Sequence, residues 1–323
     1  MILKNIKKII VVFISVIALY SILISLSDLA LISDALMNLK LEFLPLIFIL
    51  VTSGWFILFA RWHILLKSNN IEIPLKSSFI IYVSGFALQF IPGEVGEFLK
   101  VELLKNKFNI PRSRSSPIII SEMFYNAVGL VALSIVGIWF FEFAIYIFGI
   151  FATLLISFFY IINKKKYFLK ILNFVIKIKF FKKYGESLSE SVEVLQQTTK
   201  RKILFGSILL STIFWFVECI AIYLLLLSFG IITIDLMTLL PMYSSSIILG
   251  VISFLPLGLG IFEGSLTGFL NLYGIDITIA LAVVILARIL TRWYSIVVGL
   301  IILKITHGLS INSNGNSDTL NKK

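Results

Sequence analysis

Apolar runs about as long as a lipid bilayer is thick recur along this chain, and they constrain its fold more than any other feature. A helix needs about 20 consecutive apolar residues to cross the hydrocarbon core. The chain is 59% hydrophobic and only 14% charged, whereas soluble domains carry about 25% charged residues. We therefore expect an all-α, polytopic integral membrane protein with a single transmembrane domain over residues 1–307. Its full spans are predicted at about residues 9–27, 43–66, 117–139, 142–162, 203–228 and 277–304.

The composition also excludes several kinds of site. The single cysteine, Cys219, cannot form a disulfide within the chain, and the two histidines, His63 and His307, are far apart. The net charge of +11 lies in loops beside the apolar runs, where basic residues set topology and attract anionic lipid head groups. We expect no metal, no cofactor and no nucleic-acid partner. The lysine-rich start and the apolar residues after it lack a small-residue cleavage site, so we interpret them as a retained first span.

Two further apolar segments, at about residues 77–91 and 237–255, end in a break that contains Pro, Gly and carboxylates. The first break reads Phe-Ile-Pro-Gly-Glu-Val-Gly-Glu (residues 90–97), and the second reads Phe-Leu-Pro-Leu-Gly-Leu-Gly-Ile-Phe-Glu (residues 254–263). Pro and Gly break helices, and non-helical backbone at membrane depth must be buried in protein or line a watery cavity. Short helices are predicted after the breaks, at about 96–108 and 262–272. The break residues are Pro92, Gly93, Gly96, Pro256, Gly258 and Gly260.

The most basic segment of the chain indicates its topology. Residues 163–202 hold ten Lys and one Arg against three Glu, a net charge of +8. This insertion is typical of a basic helix on the inner leaflet, and the positive-inside rule places it in the cytoplasm. If segment 77–91 crossed the membrane fully, the insertion would lie outside. We therefore expect 77–108 and 237–272 to be re-entrant hairpins that enter from opposite sides, with both termini cytoplasmic.

This arrangement gives six full spans, two re-entrant hairpins and two internal repeats of opposite orientation, 43–139 and 203–304. Paired broken segments in corresponding halves are typical of transporters, with the binding site between them. The alternative is eight conventional spans, in which both interrupted segments cross the bilayer. Residues 308–323 are rich in Ser, Asn and Lys, and we predict a disordered tail there.

Two arginines, Arg288 and Arg292, lie well inside the last apolar run. A charge at the centre of a membrane helix costs roughly 2.5–3.5 kcal/mol on insertion scales. The two residues are four apart and should share a helix face, and arginine matches phosphate with two parallel hydrogen bonds. They are therefore predicted to bind a substrate phosphate. The alternative is internal pairing with Glu218, Glu263 or Glu122. Arg61, near the end of the run at 43–66, is interpreted as reaching the membrane interface.

Four carboxylates complete the predicted substrate site. Glu94 and Glu97 flank the first break and Glu263 follows the second. Glu122 lies four residues before Asn126, which predicts a polar helix face toward the protein interior. These carboxylates are expected to pair with the arginines or to contact amine and hydroxyl groups of a substrate. The helix starts after the breaks could also present free N–H groups to an anion.

Four short phrases occur in a fixed order along the chain. A Pro-Gly-x-x-Gly-Glu phrase begins at Pro92, and Glu-Met-Phe-Tyr-Asn begins at Glu122. A Gly-x-Gly-x-x-Glu phrase begins at Gly258, and Arg288 is followed by an aromatic residue, Trp293, in the last span. With these phrases the chain resembles, over about residues 9–304, the transmembrane, flippase-like domain family of lysylphosphatidylglycerol synthases. That family has Glu-Arg-x-x-Asp at the second phrase, so only the Glu is retained here.

The resemblance implies a flippase-like transporter in the cell membrane, with an anionic phospholipid or a polyprenyl-phosphate-linked sugar as substrate. In the synthases a separate soluble domain transfers the aminoacyl group, and we expect no such activity from this chain. No nucleotide-binding phosphate loop is present, so energy would come from a gradient or a partner. We expect that this protein is not an enzyme. The alternatives are an accessory or structural subunit in envelope lipid metabolism and a membrane-embedded lipid-modifying transferase.

Overall fold

The computed structural model describes residues 28–91, 96–135 and 185–305, and isolated residues between 149 and 160. Every regular element in the three long described segments is helical, as predicted. Four helices there are long and apolar enough to cross a membrane, and they coincide with four of the predicted spans. They cover Leu41–Ser68, Arg112–Ser134, Arg201–Ser228 and Ile277–Ile305. The chain is thus a helical membrane protein. The described residues do not include the predicted span at 9–27, the tail or most of the basic insertion. They include only isolated residues of the predicted span at 142–162.

We number the described α-helices in chain order. They are α1 (Leu29–Met37), α2 (Leu44–Ser68), α3 (Leu75–Gly85), α4 (Leu99–Phe108), α5 (Arg112–Ser134), α6 (Gly185–Thr198), α7 (Arg201–Ser228), α8 (Leu236–Ile252), α9 (Ile261–Leu272), α10 (Ile277–Arg288) and α11 (Tyr294–Ile305). Single 3-10 turns cover Leu41–Phe43 before α2, Phe86–Leu88 after α3 and Pro256–Gly258 before α9. A π-helical turn, Ile289–Trp293, joins α10 to α11 in one continuous helix.

Local sequence explains where several helices begin and end. The carboxylates of Asp235 and Asp276 accept hydrogen bonds from amides in the first turns of α8 and α10, as expected of N-terminal caps. Helix α4 ends at Phe108 because Asn109 adopts a left-handed conformation with φ of 58°, a common way to end a helix. Pro111 follows and precedes the first residue of α5.

Each apolar segment before a break forms a helix shorter than the four long ones. Helix α3 with its 3-10 turn covers Leu75–Leu88, and α8 covers Leu236–Ile252. Helix α3 contacts α4, and α8 contacts α9. The short helices therefore exist where the sequence predicts them, and their bounds differ from the predicted ones by at most three residues.

Helices α2 and α7 share the most extensive contact among the described elements. They are antiparallel, because the Lys40 amide before α2 donates to the Ser228 carbonyl at the end of α7, at 2.9 Å. Helix α7 also contacts α5, where a Cβ on Gly129 would lie 2.9 Å from the Ser211 side chain. Small residues at such crossings let helix backbones approach closely, as is usual in membranes.

Each broken segment contacts the last long helix of the other half. Helix α3 and its following turn contact α11, and α8 contacts α5. Gly299 of α11 lies so close to the turn that a Cβ would be 2.5 Å from the Ala87 nitrogen. The two halves of the chain are therefore joined through reciprocal contacts of their broken segments.

Helix α6 forms most of the described part of the insertion at 163–202. Its residues include three Glu and no Lys or Arg, whereas Lys200, Arg201 and Lys202 follow it, so the described part of the insertion carries no net charge. Val192, Val194 and Leu195 are buried, and α6 contacts α5. The Tyr125 hydroxyl donates to the Thr198 carbonyl at 2.7 Å. The apolar face of α6 therefore contacts protein. The basic and apolar residues at 164–183, on which the predicted membrane-surface helix depends, lie outside the described residues.

Candidate functional site

Eight ionisable side chains lie in the interior of the described helices and form ion pairs with one another. Ion pairing reduces the cost of burying a charge at this depth. The four carboxylates come from the first break, the second break, α5 and α7. We call the set the interior ion-pair network, and it comprises Arg61, Lys100, Arg288, Arg292, Glu97, Glu122, Glu218 and Glu263.

Lys100 of α4 is held by two carboxylates and two aromatic rings. Its ammonium lies 2.7 Å from a carboxylate oxygen of Glu97 and 2.7 Å from one of Glu122. It also lies 4.9 Å from the centre of the Trp62 ring and 5.1 Å from that of Tyr82, within the range of cation–π attraction. The buried ammonium therefore joins α2, α3, α4 and α5 at one point.

Arg61 of α2 points into the protein, and only 1% of its surface is exposed. Its guanidinium donates to Asn126 and Ser211, both at 2.6 Å, and to Glu122 at 3.4 Å. The interpretation that Arg61 reaches the membrane interface is therefore wrong. Its helix face is turned toward α5 and α7, where three polar partners are available. The polar face predicted for Glu122 and Asn126 is confirmed, since both contact Arg61.

The first break is connected to α11 through Gln89. The Gln89 amide donates to Glu97 at 3.1 Å, and the Ser295 hydroxyl donates to Gln89 at 3.5 Å. Gly96 is required here, because a Cβ would overlap the Leu88 carbonyl oxygen. Glycine at this position therefore serves the backbone geometry of the break. Three of the predicted site and break residues, Pro92, Gly93 and Glu94, lie outside the described residues.

Arg288 holds the second break in place. Its Nε donates to Glu263 at 3.0 Å and its Nη2 donates to the Leu257 carbonyl at 2.7 Å, while the guanidinium carbon lies 3.9 Å from the centre of the Phe262 ring. The other Glu263 oxygen accepts from the Gly260 amide at 2.7 Å. Glu263 therefore caps α9, and the Gly260 N–H at that helix start is bonded to it and does not face a substrate anion.

The backbone of the second break has an unusual conformation. Pro256 opens its 3-10 turn, and Gly258 and Gly260 have φ values of 66° and 82°. A Cβ on Gly258 would also lie 2.6 Å from the Gly250 Cα in α8. The break thus needs glycine at position 258 for conformation and for space. The Leu257 carbonyl that accepts from Arg288 belongs to the same turn, so the arginine stabilises this backbone directly.

Arg292 pairs with a different acid on a different helix. Its Nη2 lies 3.3 Å from Glu218 of α7, and its guanidinium carbon lies 5.4 Å from the centre of the Trp215 ring. Pairing of the arginines with Glu263 and Glu218 is confirmed, whereas Glu122 pairs with Arg61 and Lys100 instead. Arg288 directly precedes the π-helical turn and Arg292 lies within it, and such turns often occur at functional sites.

Accessibility within the network is uneven. The Glu97 and Arg292 side chains are each 19% exposed, whereas the other six are at most 5% exposed. Glu97 and Arg292 are therefore the acid and the base that an entering molecule could reach first. The other predicted site residues, Glu122, Glu263 and Arg288, are buried in their pairs.

Sequence reasoning missed two members of the network, Arg61 and Lys100. Lys100 follows Glu97 by three residues, a spacing that places opposite charges side by side on a helix, and this was the available signal. Arg61 had no comparable signal, because its partners are 61 to 150 residues away in sequence. Within the described residues, no group of three or more His, Cys, Asp and Glu side chains could hold a metal ion.

A charged pair on the protein surface provides a contrast. Glu102 of α4 accepts two hydrogen bonds from Arg112, each 2.8 Å long. Both side chains are largely exposed. The hydrogen bond from the Arg112 guanidinium holds the pKa of the Glu102 carboxyl below its usual range. This pair supplies surface controls for changes made in the interior network.

Comparison with known proteins identifies the family. Comparison with curated proteins found no match. The family described as the lysylphosphatidylglycerol synthase TM region matches residues 8–299. The match includes all eight members of the interior network and both breaks, and it agrees with the resemblance carried by the short phrases. The chain therefore belongs to the family of the lysylphosphatidylglycerol synthase TM region.

Proposed function

We propose that this protein is a flippase-like transporter that moves the head group of an anionic phospholipid or polyprenyl-phosphate-linked lipid across the cell membrane. The observation that carries the proposal is the interior ion-pair network, which joins both helix breaks to long apolar helices. Buried ionisable groups in membrane proteins mark substrate or ion pathways and are otherwise costly. Such a network is therefore more typical of a protein that transports a charged group than of a purely structural membrane subunit.

Re-entrant hairpins are part of the proposal, and helix lengths support them. The 14 residues from 75 to 88 rise about 21 Å and the 17 residues from 236 to 252 about 26 Å, less than the roughly 30 Å hydrocarbon core. Arg114 at the start of α5 donates to the Asn69 carbonyl after α2, at 2.7 Å. The segment between α2 and α5 thus begins and ends at one side of the helix bundle.

An inverted internal repeat also follows from the proposal. Helices α2, α3, α4 and α5 would correspond to α7, α8, α9 and the continuous helix α10–α11. The reciprocal contacts of α3 with α11 and of α8 with α5 are those expected of two such repeats. Transporters with this design bind substrate between the repeats and alternate access around that site. In the proposed orientation, the N- and C-termini are cytoplasmic.

Arg292 is the proposed phosphate-binding group. It is the most exposed of the four interior cations in the described helices, and guanidinium binds phosphate through paired, charge-assisted hydrogen bonds. Glu218 holds it until a phosphate replaces the carboxylate. Arg288, which bonds to Glu263 and the Leu257 carbonyl, would instead position the second break. The sequence-based role of Arg288 as a direct phosphate ligand is therefore replaced by a positioning role.

Translocation by the purified protein in liposomes tests the proposal. Liposomes carrying fluorescent phosphatidylglycerol are treated with a membrane-impermeant quencher, and the fraction of protected label is followed in time. We expect the wild type to move label between leaflets and Arg292→Gln to slow that movement at least about tenfold. The matched control, Arg112→Gln, removes an exposed arginine and should move label at the wild-type rate.

Two outcomes would contradict the proposal. The first is a wild type that moves no label beyond protein-free liposomes, and the second is an Arg292→Gln variant that is folded and fully active. Mass spectrometry of the recovered lipid distinguishes the enzymatic alternative. A transporter returns the lipid unchanged, whereas a lipid-modifying transferase would return a product of different mass.

A further inference from the structure

We propose that Glu97 is a proton-binding site and that a proton enters the network together with each lipid phosphate. This inference rests on the proposed function and identifies its coupling ion. The observation behind it is the charge balance of the interior ion-pair network. In the described part of the chain the network holds four basic and four acidic side chains, all paired. Its formal charge is therefore zero before any substrate arrives.

A phosphodiester brings one negative charge into this balanced set. When the phosphodiester pairs with Arg292, the carboxylate of Glu218 loses its cation. An uncompensated charge in the membrane interior is costly. One carboxylate can take up a proton from an acid in the aqueous phase, hydronium or protonated buffer, which restores the total charge of the network to zero. The carboxylate O–H bond forms as the acid's bond to that proton breaks, and the acid's conjugate base stays in solution. Binding of the anion and binding of the proton should then favour each other, by reciprocal coupling.

Glu97 is the carboxylate best placed to take the proton. Its side chain is 19% exposed, whereas the other three network carboxylates are at most 5% exposed. Its cation, Lys100, remains bonded to Glu122 at 2.7 Å when Glu97 is neutral. Neutralising Glu263 would instead remove the negative charge that Arg288 contacts at 3.0 Å, and would weaken the cap on α9.

The charges that surround Glu97 fit this role. Within the described residues, the titratable groups around it are Lys100 from α4, Arg61 from α2, Tyr82 from α3 and Glu122 from α5. Two cations and two carboxylates therefore meet here. Protonation of Glu97 leaves this cluster with one excess positive charge. That charge attracts an anion into the interior, as a coupling site must do.

A short chain of polar contacts connects the proton site to the phosphate site. Glu97 accepts from Gln89, and the Ser295 hydroxyl lies 3.5 Å from the Gln89 side-chain oxygen and 2.9 Å from the Arg292 carbonyl, so its one proton can bond to either. A change at Glu97 therefore reaches the π-helical turn that carries Arg292. A second route runs from Arg61 through Asn126 to Trp215, whose ring faces Arg292.

The test measures binding of dioctanoyl phosphatidylglycerol to the purified full-length protein between about pH 5.5 and about pH 7.5. The phosphodiester keeps one negative charge across this range, so any pH dependence comes from the protein. We expect the affinity of the wild type to rise as the pH falls, by up to about tenfold per pH unit for one coupled proton. Glu97→Gln mimics the protonated carboxyl. It should bind at about pH 7.5 as tightly as the wild type binds at low pH, with no remaining pH dependence.

Glu102→Gln is the matched control, because Glu102 follows Glu97 by five residues but pairs with Arg112 at the surface. It should retain the wild-type pH dependence. Independently of any variant, calorimetry in two buffers of different ionisation enthalpy should show uptake of about one proton per bound lipid by the wild type. Binding without proton uptake would overturn the coupling and leave the proposed function standing. Absence of binding at every pH would overturn both, and an unchanged pH dependence in folded Glu97→Gln would exclude Glu97.

Discussion

The Lys100 ammonium lies 2.7 Å from a carboxylate oxygen of Glu122, 22 residues further along the chain. This contact ties the short helix after the first break to the long helix α5. It also shares Glu122 between Lys100 and Arg61, so that two cations and the carboxylates of Glu97 and Glu122 form one cluster. The stability of this part of the protein should therefore depend on the charge balance of the cluster rather than on any single pair.

Removing Glu122 alone should be more damaging than removing Glu122 and Lys100 together. Glu122→Gln leaves two buried cations opposite one carboxylate, and breaking a buried pair typically costs about 3–5 kcal/mol. Adding Lys100→Met leaves Arg61 and Glu97, one charge of each sign. The free energy of unfolding in detergent, measured for both single variants and the double variant, gives the coupling. We expect a coupling of about 1–3 kcal/mol, and strict additivity would contradict the shared cluster.

Two glycine-to-alanine substitutions, at Gly258 and at Gly264, distinguish the effect of a constrained backbone from the effect of helix propensity. Gly258→Ala should destabilise by about 1–3 kcal/mol, because φ is 66° and a Cβ would meet Gly250 at 2.6 Å. Gly264→Ala in α9 meets nothing within 4 Å and should be neutral or stabilising by up to about 1 kcal/mol. Thermal unfolding in one detergent compares the two variants. Equal effects would show that the second break tolerates a side chain at position 258.

Cysteine labelling distinguishes re-entrant hairpins from eight conventional spans. In a Cys219→Ser background, Lys107→Cys after the first break and Leu272→Cys after the second should react with a membrane-impermeant thiol reagent from opposite sides. Both positions are exposed, whereas Lys100 is buried in its ion pairs and would be a poor reporter. In the eight-span alternative both cysteines face outside, so external labelling of both would exclude the hairpin arrangement.

The surface pair of Glu102 and Arg112 should make a small, pH-dependent contribution to stability. Arg112 lowers the pKa of Glu102 from its ordinary value of 4.5. A depressed carboxyl pKa stabilises the folded state above the ordinary pKa, and this stabilisation is lost as the pH falls through the lowered value. Exposed pairs contribute about 0.2–1 kcal/mol. We expect Glu102→Gln to lower the free energy of unfolding by no more than that at neutral pH, and by progressively less in acid.

Hydropathy predicted the bounds of most described helices well, because the length of an apolar run can be measured directly along the sequence. The helices α2, α7 and α10–α11, and the short helices at both breaks, begin and end within a few residues of the predicted bounds. The same reasoning misplaced Arg61, because hydropathy reports depth in the membrane and not the direction in which a helix face points. Partners on α5 and α7 determine that direction, and they are distant in sequence.

Sequence also predicted only part of the ion pairing, because tertiary packing decides which partners meet. The pairing of Arg292 with Glu218 and of Arg288 with Glu263 was among the alternatives that the sequence allowed. The choice between phosphate ligand and positioning residue depends on which guanidinium is exposed, and tertiary packing decides exposure. The acidic character of α6 was hidden for another reason. The lysines that precede it dominate the charge of the insertion at 163–202.

The distribution of anionic lipids between the two leaflets of the membrane, in cells with and without this protein, tests the central claim most directly. We predict that one anionic phospholipid or lipid-linked phosphate accumulates in one leaflet when the protein is removed. Wild type and Arg112→Gln should restore its distribution, and Arg292→Gln should not. An unchanged leaflet distribution of every anionic lipid after removal, or full restoration by Arg292→Gln, would contradict translocation through the interior ion-pair network.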